Sequence, residues 1–200
     1  MSLLVETIKI NDGVAVNLPY HESRLNRTRR ELFGASPDID LSRTLLIPAF
    51  AGKGLFKCRI EYNDHIRKIE FNPYKFRTIR TLRMVEAGDL DYSFKWVDRS
   101  GIEKLLEQKG ECDDILMVKD GKLTDTSYAN IILRGTDNRW YTPSEPLLKG
   151  TRREWLLDNG IVKEREITPA SLKRFRELRL INTMMDIEDS ASIAVRAICF

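Results

Sequence analysis

Apolar and polar positions along VETIKI and VAVNL read as two strands, and between them Asn11-Asp12-Gly13 carries the Asp-Gly pair that tolerates positive φ. After Pro19 the spacing becomes helical. Leu25, Thr28 and Leu32 recur through HESRLNRTRRELFG, and Gly34 stands where a glycine stops a helix. LSRTLLIPAF predicts a second short helix, broken at Pro48. KCRIEYNDHIRKIEF is a hairpin turned at Asn63-Asp64, and FRTIRTLRMVEAG continues extended to Gly88. Beyond that glycine the texture changes. Residues 100–109 form a helix closed by Gly110. DILMVKDGKLTDTS turns at Asp120-Gly121, and NIILRGTDNRWYTP turns around residues 135–137. Gly150 opens an amphipathic helix, TRREWLLDNG, that stops at Asn159-Gly160. Thr168-Pro169 reads as a cap with proline in the first turn, leading into a short basic helix and the strand LRLINTMM. Hairpins dominate and helices sit between them. The pattern predicts an α+β chain of two subdomains, 1–88 and 89–200, with the seam near Gly88.

Composition changes this picture little. The 200 residues are 42% hydrophobic and 32% charged, an ordinary balance for a chain that buries its own core. No run approaches the ~18 apolar residues of a membrane span. The segment MSLLVETIKINDG has no basic stretch and meets Glu6 too early for a signal peptide, so the expected address is cytoplasmic, with no membrane partner. Cys58, Cys112 and Cys199 make no CxxC pair and only His21 and His65 accompany them, so neither a disulfide framework nor a metal centre is expected. The net charge of +3 is too weak to indicate nucleic acid. Arg77, Arg80 and Arg83 fall three apart on an extended segment and so face opposite sides, which leaves a basic nucleic-acid-binding protein as the remote alternative.

No P-loop, GxGxxG, HExxH or GxSxG motif is present. Four scattered segments carry the chemistry instead: His21-Glu-Ser-Arg24, Lys95-Trp-Val-Asp-Arg99, Leu123-Thr-Asp125-Thr-Ser-Tyr-Ala-Asn130 and Leu148-Lys-Gly150-Thr-Arg-Arg153. Taken singly each has a plain reading. Lys95 is a solvated lysine beside Trp96, Arg24 is one more arginine among Arg27, Arg29 and Arg30, and Asp125 bonds the backbone at its strand end.

Their order and separation, with Glu6-Thr7 before them, Thr142-Pro143 among them and Asn182-Thr183-Met184 after, resemble the class IV aminotransferase family. That family depends on pyridoxal 5′-phosphate (PLP) and includes branched-chain and D-amino acid aminotransferases and aminodeoxychorismate lyase. The resemblance implies the α+β fold of the D-amino acid aminotransferase type, two α/β subdomains with the cofactor between them, working as a homodimer on a small-molecule amino substrate. Lys95 would carry the cofactor through its amine and then move the Cα proton. Asp125, where the family usually has Glu, would stabilise the protonated pyridine nitrogen. Arg24, with Gly150, Thr151 and Arg152 opening a helix, would hold the phosphate. Asn182, Thr183 and Met184 resemble the loop that faces the substrate, and Arg99 sits where the lyase branch reads Lys-x-x-Asn-Arg, with Asp98 in place of that Asn. Both clues lean toward 4-amino-4-deoxychorismate lyase, with an amino acid aminotransferase as the alternative. Many family members have an extra strand pair ahead of the Glu-Thr strand, so the resemblance also implies a pocket that is more open here or completed by a partner chain.

Overall fold

In the computed structural model, which describes residues 3–199, the first strand is β1 (Leu4–Asn11). Its alternation puts Leu4, Glu6, Ile8 and Ile10 on one face, and all four are fully buried. Asp12 (φ 47°) and Gly13 (φ 78°) turn the chain into the two-residue β2 (Val14–Ala15). α1 (Leu18–Phe33) begins earlier than the sequence reading, with Pro19 inside its first turn, where the missing N–H costs nothing. It ends at Gly34, whose φ of 59° lets its N–H close back on the last turn. α2 (Leu41–Thr44) is a single turn capped by Asp40. The expected helix from 41 to 50 therefore stops well before Pro48. The residue before a proline avoids helical geometry and Pro48 itself is extended (ψ 153°), so the chain restarts as a separate 3-10 turn at Ala49–Ala51. β3 (Leu55–Tyr62) and β4 (Ile66–Pro73) form the expected hairpin. The sheet order is β2-β1-β3-β4, antiparallel throughout, and Leu25 of α1 packs with Leu4, Ile8, Cys58 and Ile60.

This sheet with its helices is one of two compact units. It takes the chain up to Phe76 and also Phe94–Asp98. That second segment is held along β1 by Val5 N–H to the Lys95 carbonyl and Val97 N–H to the Leu3 carbonyl, both 2.9 Å.

The other unit takes Arg77–Ser93 and everything from Arg99 onward. Its elements are β5 (Leu82–Glu86), α3 (Ser100–Leu106), β6 (Asp114–Lys119), β7 (Lys122–Thr126), β8 (Asn130–Gly135), β9 (Trp140–Pro143), α4 (Thr151–Asp158), β10 (Val162–Arg165), β11 (Phe175–Ile181), β12 (Ile193–Ala194) and β13 (Ile198–Cys199). They order as β10-β9-β8-β7-β6-β5-β13, with β11 pairing both β8 and β12. β5 precedes Gly88 in sequence but pairs in parallel with β6, so it belongs to this sheet. It is also shorter than the predicted extended run, because the N–H groups of Arg80 and Thr81 bond the Asp113 carboxylate (2.8 and 3.0 Å) instead of a neighbouring strand. The basic segment after Thr168 is a 3-10 helix, Pro169–Arg174, opened by reciprocal Thr168–Ser171 capping. Leu82, Leu116, Ile131, Leu133 and Leu178 fill the core with no exposure. Among the described residues no helix is long and apolar enough to cross a membrane.

Candidate active site

The candidate residues divide between the two units. In the first, Glu6 breaks the apolar face of β1 with a fully buried carboxylate, and such a group needs partners. α1 supplies them three residues apart, the spacing that puts both on one helix face. Arg24 grips the carboxylate with two parallel bonds, Nε to Oε1 and Nη2 to Oε2, each 2.7 Å. His21 Nδ1 lies 2.8 Å from Oε2. Burial alone would raise the Glu6 pKa, but the Arg24 charge and the hydrogen bonds from His21 and Arg24 outweigh it and hold the group at about 2. Burial lowers the His21 pKa against the pull of Glu6, and the nearby charge of Lys95 lowers it further. Lys95 is half-buried with its backbone fixed on β1, so its amine belongs to the same neighbourhood as Arg24 and His21.

In the second unit the residues collect at one end of the sheet. Asp125 on β7 pairs directly with Asn130 on β8, and Ile181, the last residue of β11, pairs with Asn130 from the other side. The chain after β11 therefore leaves beside Asn130, and the turn it makes is the predicted Asn182-Thr183-Met184. There Asn182 Oδ1 accepts the Met184 N–H (2.9 Å), and Met184 is buried. The Asp125 carboxylate accepts Asn130 Nδ2 (2.7 Å) on one oxygen and the Leu148 N–H (2.9 Å) on the other. Asn130 Nδ2 also donates to the Leu148 carbonyl (2.8 Å). Burial pushes Asp125 up to about 6, against the Leu148 and Asn130 hydrogen bonds and the charge of Arg153.

Two of the expected phosphate-site residues also have partners within the chain. Gly150 has no need of unusual backbone angles. A Cβ there would stand 2.0 Å from Asn130 Oδ1, so glycine is required by the asparagine behind it. Gly150 and Thr151 do open α4, whose first turn presents N–H groups lacking acceptors within the helix. The Arg152 side chain, however, pairs with Asp186 and lies over the Trp155 ring (4.2 Å), which leaves its backbone N–H as its contribution to that turn. Arg153 is the buried cation. Its Nη2 donates to the Pro143 carbonyl (2.8 Å) and to Glu164 (2.6 Å), and it shares the inward face of α4 with Leu156. Arg99 donates to the Ser127 carbonyl in the turn that follows Asp125, and its Nε is buried without a hydrogen-bond partner.

Sequence reasoning gave no role to Glu6, Asn130 or Arg153. The signal for Glu6 was legible, a carboxylate at an inward position of LVETIKI. For Arg153 it was the spacing to Leu156.

These groups suit PLP by their chemistry. A half-buried primary amine answers its aldehyde, and a buried carboxylate held by two hydrogen bonds answers its pyridine nitrogen. A buried arginine and a helix first turn answer its phosphate.

Comparison with known proteins supports the same direction. The family model described as amino-transferase class IV matches residues 96–193. An uncharacterised protein of Haemophilus influenzae (strain Rd) is 39% identical over 183 residues, covering 90% of this chain and 97% of its own. A solved structure from Haemophilus somnus, proposed to be a 4-amino-4-deoxychorismate lyase, is 37% identical with a TM-score of 0.86, covering 92% of this chain and 97% of that one. A hypothetical aminotransferase from Mycobacterium tuberculosis, solved with PLP bound, shares the fold at 17% identity and a TM-score of 0.76, covering 96% of this chain and 80% of that one.

Proposed function

The chain belongs to the class IV aminotransferase family, and from that premise we propose that it is a PLP enzyme acting as a 4-amino-4-deoxychorismate lyase. The observation that carries the reading is the 37% identity, over 97% of its length, to a structure proposed to have that activity. The Lys95-x-x-x-Arg99 spacing and the Asn182 turn beside Asn130 support it from the chain itself.

In this reading Lys95 would hold the cofactor, Asp125 would bond its ring nitrogen, and Arg24 and the first turn of α4 would each offer donors to its phosphate. When bound, PLP supplies an electron sink for charge developing at the carbon that bears the substrate amine. Lys95 Nζ, as a free amine, would take the proton from that carbon. Cleavage of the bond to the enolpyruvyl oxygen, with the leaving group taking up a proton to become pyruvate, would then leave 4-aminobenzoate. Burial pushes Asp125 up to about 6, against the hydrogen bonds of Leu148 and Asn130 that favour its ionised form, and it is that form that would keep a ring-nitrogen proton in place. Arg99, at the start of α3 with a buried Nε that has no hydrogen-bond partner, would offer a cation to a substrate carboxylate, and the Asn182-Thr183-Met184 turn would face the substrate as its family counterpart does. The working form proposed is a homodimer, as is the rule in the family.

The test is the visible absorption spectrum with and without added PLP, for wild type and Lys95→Ala. A band that borohydride fixes to Lys95, and that the variant lacks, is expected. No band in wild type with excess PLP would overturn the reading. Incubation with an amino donor and no acceptor separates the two chemistries. A lyase keeps its PLP, whereas accumulation of the aminated cofactor would make the protein a transaminase. Sedimentation equilibrium at twice the chain mass is the expected outcome for the dimer.

A further inference from the structure

A closed polar arrangement in the second unit joins elements far apart in sequence. Asn130 uses one amide nitrogen for two acceptors, Asp125 Oδ1 at 2.7 Å and the Leu148 carbonyl at 2.8 Å. The Leu148 N–H returns to the other Asp125 oxygen at 2.9 Å, which closes a ring of three bonds. Two residues later Gly150 passes so near the Asn130 amide that a methyl group would stand 2.0 Å from its oxygen. That amide cannot swing aside, since its nitrogen is held at both acceptors. Asn130 is 7% exposed and Asp125 5% exposed, so neither has water to replace a lost partner.

We propose that Asn130 is a positioning residue that sets two cofactor anchors together, aiming the Asp125 carboxylate and fixing the loop that starts α4. Each anchor alone could be held by other means. Asp125 lies near the end of β7 and accepts the Leu148 N–H, and α4 begins at Thr151, three residues after Leu148. With Asn130 joining Leu148 to Asp125, the spacing of carboxylate and helix turn is fixed by one side chain. The inference rests on the PLP reading above, and it assigns Asn130 and Gly150 a shared task, the glycine leaving the space the amide occupies.

Asn130 also bears on protonation. Its N–H favours the ionised carboxylate, so removing it lets burial raise Asp125 further above about 6. The groups facing Asp125 are the Leu148 and Leu147 N–H groups, Asn130 and the charge of Arg153. Only Asn130 is changed in the single-site asparagine variants.

The experiment is titration with PLP, followed by cofactor absorbance and tryptophan fluorescence from pH 5 to 8.5. Wild type, Asn130→Ala, Asn130→Asp, Gly150→Ala and the Asn130→Ala/Gly150→Ala double variant are compared, with far-UV circular dichroism checking that each is folded. In the asparagine variants PLP affinity is expected to fall about tenfold or more, and the acid limb of binding to move to higher pH than in wild type. Gly150→Ala alone is expected to weaken binding likewise. Once the amide is gone the added methyl has room, so the double variant should bind no worse than Asn130→Ala. If Asn130→Ala does not fold, Asn130→Asp decides, since it keeps the size and removes the donor.

Wild-type binding with unchanged affinity and acid limb in the asparagine variants would overturn the inference. So would strictly additive losses in the double variant. Failure of wild type itself to take up PLP would remove the functional reading and this inference with it, which separates the two failures.

Discussion

Glu6 shows what a single charged residue does in the core of the first unit. Its native pKa of about 2, against an ordinary 4.5, corresponds to about 3 kcal/mol of stability at about 1.4 kcal/mol per pH unit. The native pKa is the lower one, so this stability is present above pH 4.5 and is lost as pH falls toward 2. His21 acts in the same direction at a different pH. Its native pKa is also lowered, so the unfolded chain binds the proton more readily and stability falls as pH drops below about 6.5. Denaturant titrations from pH 8 to 2.5 should therefore show stability falling in two stages. Glu6→Gln should lose about 3–5 kcal/mol at pH 7, because Arg24 is left without its carboxylate, and should lack the second stage. A Glu6→Gln curve that keeps its slope below pH 4.5 would assign that slope to other carboxylates. Asp125 offers a second prediction. The family usually has glutamate there, yet both carboxylate oxygens are held at 2.7 and 2.9 Å in a closed site. Asp125→Glu should overpack and destabilise by about 1–3 kcal/mol in the same assay. A neutral result would mean that the loop at residues 147–150 gives way to the extra methylene.

Elements closed by local chemistry were legible in the sequence. Gly34 ends α1 at φ 59°, the Asp120-Gly121 hairpin turns with both residues at positive φ, and Thr168 caps the turn that Pro169 begins. Gly34→Ala should cost about 1 kcal/mol from backbone strain alone, since nothing lies within 4 Å of the added methyl. Thermal unfolding reads that directly, and no loss would mean that the chain end of α1 relaxes into another cap. Elements decided by distant partners were not legible. β10, β12 and β13 are two to four residues long, too short for a period, and exist because β9, β11 and β5 offer them an edge. β5 lost its first part to Asp113, some thirty residues ahead in sequence. The site divides the same way. Lys95, Asp125 and Arg24 were singled out because their order and separation resemble a family. Asn130 was quoted with them but given no task, because its task lies in a loop eighteen residues on.

At the scale of the whole molecule, cofactor uptake and folding are linked, because a ligand that binds only the native chain stabilises it by mass action. At a PLP concentration about a hundred times its dissociation constant the gain is about 2.7 kcal/mol. For a chain of 200 residues each kcal/mol moves the unfolding midpoint by about 2–4 °C, so a rise of about 5–10 °C is expected. Lys95→Ala keeps Asp125, Arg24 and the first turn of α4 but loses the amine. At the same PLP concentration it should therefore show a smaller rise, and pyridoxal, which lacks the phosphate, a smaller rise still in the variant. The comparison separates the contributions that a spectrum merges. Equal shifts for wild type and Lys95→Ala would mean that the amine does not hold the cofactor. Equal shifts for PLP and pyridoxal in the variant would mean that Arg24 and α4 do not receive the phosphate. Only if both differences appear do the amine and the phosphate anchors act on the same bound molecule.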